Sequence, residues 1–327
     1  MVPQSEPAWK RAVVTGGAGF IGTHLCRALL TAGTEVVCVD NFLTSSPAGM
    51  HGMRADPRFS LYEADVAVGL PSADDADLVI HLASPASPVD YQRYPLATLD
   101  AGSRGTRNAI ELAARSGARF VLASTSEVYG DPSVSPQPEH YWGNVNPVGP
   151  RSVYDEAKRF AEATTAAYRR AALADTAIAR IFNTYGPGMR PGDGRVVPTF
   201  ACQALRGLPL TVAGDGRQTR SLCHVNDTVR GILAVAGSGL AGPVNIGNPE
   251  EATVLQIAER IVRLAGSRSG IEHIPLPEDD PKSRCPDITL ARELGWQPEI
   301  SWQEGLTETL EWFSAWLGAG SRERVGV

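Results

Sequence analysis

The sequence predicts an α/β protein: a doubly wound parallel sheet covered by helices on both faces, with a smaller mixed lobe towards the C-terminus. Three observations carry that expectation. Short β-branched runs alternate with helically spaced stretches from Arg11 to Tyr185, the pattern of strands buried on both faces and joined by crossover helices. The first of these runs breaks abruptly into a glycine-dense turn. After Tyr185 the alternation lapses, and Gly and Pro crowd the stretch from Gly186 to Gly194. A chain of 327 residues has room for two domains, or for one large core with a lobe. With 43 % apolar and 20 % charged residues it can bury a sizeable core, which excludes a disordered chain.

Taken in order, residues 1–8 read as a loose tail and RAVVT (Arg11–Thr15) as the first strand. GGAGFIG (Gly16–Gly22) is the turn. THLCRALLTAG then sets Leu25, Leu29 and Leu30 on one helical face, with Gly33 as its stop. EVVCVD is the second strand, ending at Asp40; FSLYEAD is the third and DLVIHLA the fourth. A long helical stretch runs to Ser116, ARFVLASTS is the fifth strand, a helix begins near Ser152, and TAIARIFN is the sixth strand. These elements make residues 9–185 one domain. PVNIG (Pro243–Gly247) is strand-like, so the segment near 225–250 is expected to return to the sheet. Residues 186–224 and 251–318 then form the second lobe, and 319–327 a frayed end.

Charge and composition exclude several functions. Thirty Lys+Arg against 36 Asp+Glu give a net charge of −6, and without a basic run the chain is unsuited to a long polyanion such as DNA. No apolar stretch reaches the roughly 18–20 residues of a membrane span, and MVPQSEPAWK lacks the apolar segment of a signal peptide. The five cysteines (Cys26, Cys38, Cys202, Cys223, Cys285) show no C-x-x-C spacing. They read as reduced packing residues of a cytoplasmic protein, and neither a zinc site nor any other metal is expected.

The turn has a specific chemistry. Gly17-x-Gly19-x-x-Gly22, overlapped by Gly16-x-x-Gly19, lies between a strand and a helix. Glycine there permits a tight turn, close backbone approach to a diphosphate, and helix-on-strand packing. The helix N-terminus adds free N–H groups and partial positive charge. Asp40 follows about twenty residues on, where a carboxylate can bind both hydroxyls of an adenosine ribose and repel a 2′-phosphate. This Rossmann-type pattern points to NAD rather than NADP. Asp65 is placed to reach an adenine edge, and reads equally well as a capping or loop acid. The expected cofactor site comprises Gly16, Gly19, Phe20, Ile21 and Gly22 in the turn, then Asp40, Asn41 and Thr44. Asp65, Val66, Leu82 and Ser84 complete it after the third and fourth strands.

Tyr154-x-x-x-Lys158 sits on a predicted helix opened by Ser152 and Asp155 as a capping box, and its i, i+4 spacing puts both side chains on one face. A phenol near pKa 10 is a poor base at neutral pH; a neighbouring ammonium and a cationic nicotinamide would both stabilise its phenolate. The fifth strand delivers Thr125, Ser126 and Glu127 to its C-terminal end, where α/β sheets place their ligands. Alone, Tyr-x-x-x-Lys is an ordinary surface pair. Behind a nucleotide turn it becomes a catalytic candidate that also touches the cofactor. His81 and His224 read as a buried strand histidine and a packing residue.

With these residues in place, the chain resembles the extended short-chain dehydrogenase/reductases, and among them the UDP-glucuronate decarboxylase (UDP-xylose synthase) family, from about Arg11 to Phe313. The specific stretches are HLASPASPVDY, STSEVYGDPSVSPQPEHYWGNVNPVGPRSVYDEAKR, RIFNTYGPGMRPGDGRVVPTF, VNIGNPEEAT and DDPKSRCPDI. The resemblance implies NAD-dependent decarboxylation of a nucleotide-linked glucuronic acid, UDP-linked or alternatively dTDP-linked, through a 4-keto intermediate. It implies Thr125, Glu127, Tyr154, Lys158 and Arg284 as catalytic residues. Tyr91, Ser126, Glu127, Asn183, Arg195, Arg220 and Arg284 would contact the substrate. Each arginine alone would pass for a solvated surface residue; together they suit the charge of a sugar nucleotide. A homodimer through a four-helix bundle of the helices near Leu96–Ser116 and Ser152–Arg170 is also implied. One departure stands out: Asp100-Ala101-Gly102 replaces the family's Lys-Thr-Asn, which points to partial release of the 4-keto pentose. The rival readings are a sugar-nucleotide 4,6-dehydratase or 4-epimerase and, in another class, a catalytically silent NAD-binding regulator.

Overall fold

Seven parallel strands form the central sheet of the protein, seen here in a computed structural model that describes residues 8–276 and 283–323. The first half alternates as the sequence predicts. The elements are β1 (Arg11–Thr15), α1 (Phe20–Thr31), β2 (Glu35–Asp40), β3 (Phe59–Glu63), β4 (Leu78–His81), α2 (Pro88–Arg93), α3 (Pro95–Asp100), α4 (Thr106–Ser116), β5 (Arg119–Thr125), α5 (Ser152–Arg170) and β6 (Thr176–Ile181). The second half holds β7 (Thr184–Tyr185), α6 (Val196–Leu205), β8 (Leu210–Ala213), β9 (Thr219–Ser221), β10 (Cys223–His224), α7 (Val225–Gly237) and β11 (Pro243–Ile246). It closes with β12 (Glu251–Thr253), α8 (Val254–Leu264), β13 (Ile271–Ile274), α9 (Thr289–Glu293) and α10 (Trp302–Glu323).

The strand order is β11-β6-β5-β4-β1-β2-β3, a doubly wound arrangement with its switch point between β1 and β4. β11 returns from the second half to pair with β6, with Val244 opposite Ala179. Because side chains alternate along a strand, adjacent residues of β1 serve opposite layers. Val14, with Cys38, Ile80 and Val121, packs on Leu25 and Leu29 of α1 and Ile232 of α7. Val13, with Val37, Val79 and Phe120, packs on Ile110 and Ala113 of α4 and Ala161 of α5. Strands so apolar on both faces can only be central, and this fixes the carboxyl edge of the sheet as the rim of a cleft.

The second lobe has its own core, in which Phe200, Leu210, Ile257, Ile261, Leu306 and Phe313 come together. Its strands are short pairs: β8 with β13, β9 with β12, β7 with β10. Two local expectations need correction. The stretch to Ser116 is not one uninterrupted helix, because a π-turn at Ala101–Gly105 joins α3 to α4. The C-terminal helix α10 runs to Glu323, past residue 318 where fraying was expected; the expected tails at 1–7 and 324–327 lie outside the described residues.

Candidate active site

The rim of the sheet and the second lobe enclose a cleft of about 1240 Å³, lined by every residue that the sequence assigns to cofactor or substrate. At its floor Gly16 has φ +70°, and a Cβ there would lie 2.6 Å from the Ala83 nitrogen. At Gly22 a Cβ would strike the Gly16 carbonyl. The turn therefore tolerates no side chain where a dinucleotide diphosphate would approach, and α1 starts at Phe20 with its N-terminus on the cleft. Asp40 ends β2 and is buried: Oδ2 accepts from Ala18 N at 3.0 Å, and Oδ1 from Phe42 N at 2.9 Å and Ser45 Oγ at 2.8 Å. It thus shapes the turn as well as facing the cleft.

Asp65 follows the third strand by two residues rather than ending it. It serves as the alternative reading had it, accepting from Ala67 N at 2.8 Å and from Asn41 Nδ2 at 3.2 Å, yet it lines the cleft with Val66, Leu82 and Ser84. Thr44 offers its carbonyl to Arg190 Nη1 at 3.5 Å. The glycine cradle, the ribose-range carboxylate and the helix terminus together fit NAD.

Beside this floor stands the Tyr–Lys pair. Lys158 is buried and donates from Nζ to the Ala123 carbonyl of β5 at 2.9 Å; its Nζ lies 5.9 Å from the Tyr154 ring centroid. Burial lowers its amine to about 8, against the pull of Glu162. Burial raises the Tyr154 phenol, while a hydrogen bond with Thr125 opposes the rise. Tyr91 stacks on Tyr154, centroids 5.4 Å apart and planes 10° from parallel. Thr125 and Ser126 sit at the carboxyl end of β5, where Thr125 Oγ1 accepts from Glu127 N at 3.2 Å. His81 is fully buried in β4, bonds Thr15 at 2.7 Å, and is lowered to about 3, first by burial and then by Lys158.

A charged cluster closes the other side. Arg284, only 2 % exposed, reaches Glu127 from Nε at 3.3 Å and from Nη2 at 3.2 Å. Arg151, just ahead of α5, donates to the same carboxylate at 2.5 Å. Burial pushes the Glu127 carboxyl up, but Arg284 and Arg151 prevail and hold it at about 2. Arg195 is paired with Asp193 at 2.8 Å rather than free, and Arg220 lies along the cleft wall beside Gln218. Asn183 follows β6 with its Nδ2 donor buried and without a partner, a group a ligand oxygen could satisfy.

Sequence reasoning missed three site residues. Arg151 and Asp155 flank Tyr154 in the stretch RSVYDEAKR. Arg190 crosses from the second lobe to grip Asp90 with bonds of 2.6 and 2.7 Å. For Arg151 the signal was present, an arginine three residues upstream of Tyr-x-x-x-Lys. The expected capping box is absent: Arg151 is the N-cap of α5 and no side chain caps it.

Fold and site together define an NAD-dependent enzyme of the extended short-chain dehydrogenase/reductase class. The description "NAD dependent epimerase/dehydratase family" matches residues 12–247. The chain is 48 % identical over 311 residues to UDP-glucuronic acid decarboxylase 1 of Danio rerio, covering 95 % of this chain and 74 % of that one. It is 50 % identical over 297 residues to UDP-glucuronic acid decarboxylase 1 of Arabidopsis thaliana, covering 90 % and 68 %. Among solved structures, it superposes with TM-score 0.83 and 27 % identity on the UDP-glucuronic acid 4-epimerase of Bacillus cereus in complex with UDP-glucuronic acid and NAD. That match covers 94 % of this chain and 99 % of the other. The chain belongs to the NAD-dependent epimerase/dehydratase family and, within it, to the UDP-glucuronic acid decarboxylases.

Proposed function

We propose that this protein decarboxylates UDP-glucuronate with NAD as a regenerated cofactor, by way of a 4-keto sugar, and leaves a UDP-linked xylose. The observation that carries this reading is the joining, in one cleft, of a proton-transfer set (Thr125, Tyr154, Lys158) to a buried Glu127–Arg284–Arg151 cluster. Direct loss of CO₂ would leave an unstabilised carbanion at C5. Oxidised at C4, the sugar becomes a β-keto acid, and the departing electron pair settles on the ketone oxygen.

When bound, NAD supplies a reversible hydride acceptor at that carbon. The residues do the rest. Thr125 steadies the C4 oxygen as charge develops. Tyr154 takes its proton, once the positive charge beside it outweighs the burial that keeps its phenol high. Lys158, fixed to the β5 backbone, supplies part of that charge. Arg284 receives the sugar carboxylate, Glu127 holds both arginines in place, and a water molecule supplies the proton at C5. Asn183, Arg195 and Arg220 meet the nucleotide end, and Tyr91 covers the sugar against Tyr154.

The test is incubation of the purified protein with UDP-glucuronate, with CO₂ capture and mass analysis of the sugar nucleotide. Expected are CO₂ and a pentose product, whose C4 oxidation state also reads any release of the keto pentose. Replacement Tyr154→Phe should lower turnover by about 10²–10⁴-fold with NAD retained. A product that keeps all its carbons would leave an epimerase or dehydratase instead.

Two further readings belong here. The protein works as a homodimer, supported by Leu96 and Leu99 of α3 and Phe160 of α5, all exposed on neighbouring helices. It works in a reducing, cytoplasmic compartment, supported by five buried cysteines that form no disulfide. No helix among the described residues is long and apolar enough to cross a membrane.

A further inference from the structure

Arg284 sits on a stretch of chain that belongs to no helix or strand, yet it is buried and its guanidinium meets Glu127. Arginine has many rotamers, so a buried one must be aimed by the backbone that carries it. That backbone is held by Gln137. The two segments meet at a single parallel bridge, Gln137 to Pro286. Gln137 N donates to the Cys285 carbonyl at 2.8 Å, and Asp287 N to the Gln137 carbonyl at 3.0 Å. Any residue but proline at 137 could make these backbone bonds. The side chain adds what so short a bridge lacks. Gln137 Oε1 accepts from Cys285 N at 2.9 Å, which fixes the peptide group directly after Arg284. Gln137 Nε2 donates to the Val134 carbonyl at 2.8 Å and so anchors the amide to its own loop. Asn245 of β11 ties the pair to the sheet, its Nδ2 donating to the Gln137 and Asp287 carbonyls at 2.9 and 3.0 Å.

Gln137 is fully buried and does not line the cleft, so it touches no substrate itself. It lies on the same loop between β5 and α5 as Glu127. Its amide therefore fastens the chain that carries the arginine to the chain that carries the arginine's carboxylate. We propose that Gln137 is a positioning residue for Arg284: its amide sets the peptide from which the guanidinium reaches Glu127 and, in the complex, the sugar carboxylate. The inference rests on the reading that Arg284 receives that carboxylate. With an apolar side chain at 137, the N–H of the buried Cys285 would lose its partner. The peptide then turns towards another acceptor, and the Arg284 side chain turns with it. A glucuronate feels that loss and a neutral sugar does not.

The test is a double-mutant cycle read by binding. NAD-loaded protein carrying Tyr154→Phe to stop turnover serves as the parent, and UDP-glucuronate and UDP-glucose are titrated calorimetrically. Gln137→Met keeps the length of the side chain and removes both amide bonds. It should weaken UDP-glucuronate about tenfold and UDP-glucose less than about twofold, the scale of one lost hydrogen bond to a charged group. Arg284→Ala should weaken UDP-glucuronate at least as much. Adding Gln137→Met to the Arg284→Ala protein should then cost less than about a further twofold, because the side chain it positions is gone. A role in packing alone would weaken both ligands alike, or would weaken UDP-glucuronate equally with and without Arg284; either result overturns the proposal. So does a Gln137→Met protein that binds UDP-glucuronate as the parent does. Unchanged binding in Arg284→Ala would remove Arg284 from the substrate and this inference with it, while the CO₂ assay decides decarboxylation by itself. Should Gln137→Met fail to fold, Gln137→Asn, one methylene shorter and unable to keep both bonds, is run through the same cycle.

Discussion

At the scale of single residues, the site works by setting charge against burial. Lys158 must be cationic to support the Tyr154 phenolate, yet burial lowers its amine to about 8. An amine is charged below its pKa, so turnover should fall as pH rises past about 8. Glu162, one helical turn beyond Lys158, opposes the lowering. Its own carboxylate is fixed by Arg180 at 2.7 and 2.8 Å and by Ser124 at 2.6 Å. Glu162→Gln removes that charge, and the alkaline fall of kcat should move to lower pH by about one unit. An unmoved limb in a folded variant would take Glu162 out of the site's electrostatics. Much of the site was legible at this scale. Tyr154, Lys158, Thr125 and the glycines belong to short spacings that local geometry enforces. Asp155 was not legible, because an aspartate at a helix start reads as a capping group. Only burial against Glu127 and Arg284, distant in sequence, shows otherwise.

At the scale of elements, the strands were legible because a strand buried on both faces must be apolar throughout. The strand pairs of the second lobe, two to four residues each, are too short to show a period. The π-turn was hidden as well, since helical spacing continues on both sides of it. Its cause is tertiary: Gly102 lies so close to α5 that a Cβ would stand 2.7 Å from the Ala157 Cβ and from the Ala157 carbonyl oxygen. α5 carries Tyr154 three residues before that contact and Lys158 directly after it. Gly102→Ala must push the two helices apart, at a cost of about 1–3 kcal/mol. Calorimetry should show a lower Tm, and kcat should fall with the displaced Tyr–Lys pair. Gly52, where a Cβ would meet nothing within 4 Å, is the control: Gly52→Ala should change stability by less than about 0.5 kcal/mol. Equal effects at both positions would remove the close approach as the reason for glycine at 102.

At the scale of the whole molecule, the net charge of −6 describes the surface and not the cleft, where Arg151, Arg195, Arg220 and Arg284 gather. The outer faces of α3 and α5 raise a different question. Phe160 is 55 % exposed and Leu96 is 74 % exposed. Ala163 and Ala167 extend the exposed line along α5 at helical spacing, and the ion pairs Arg104–Asp100 and Arg107–Glu111 run along the same helical layer. An apolar stripe with a charged border is the anatomy of a protein interface. Because α3 and α5 lie side by side, a second copy related by a two-fold axis would bring four helices together and cover both stripes at once. Phe160→Glu places a charge at the centre of that contact, where a two-fold axis would confront it with its own copy. Light scattering after gel filtration should give twice the 34.8 kDa chain mass for the parent protein and a single chain mass for the variant. NAD binding should persist, since Phe160 is not among the cleft residues. A parent protein that runs as one chain, or a variant that stays paired, would show that this face serves something other than a second copy.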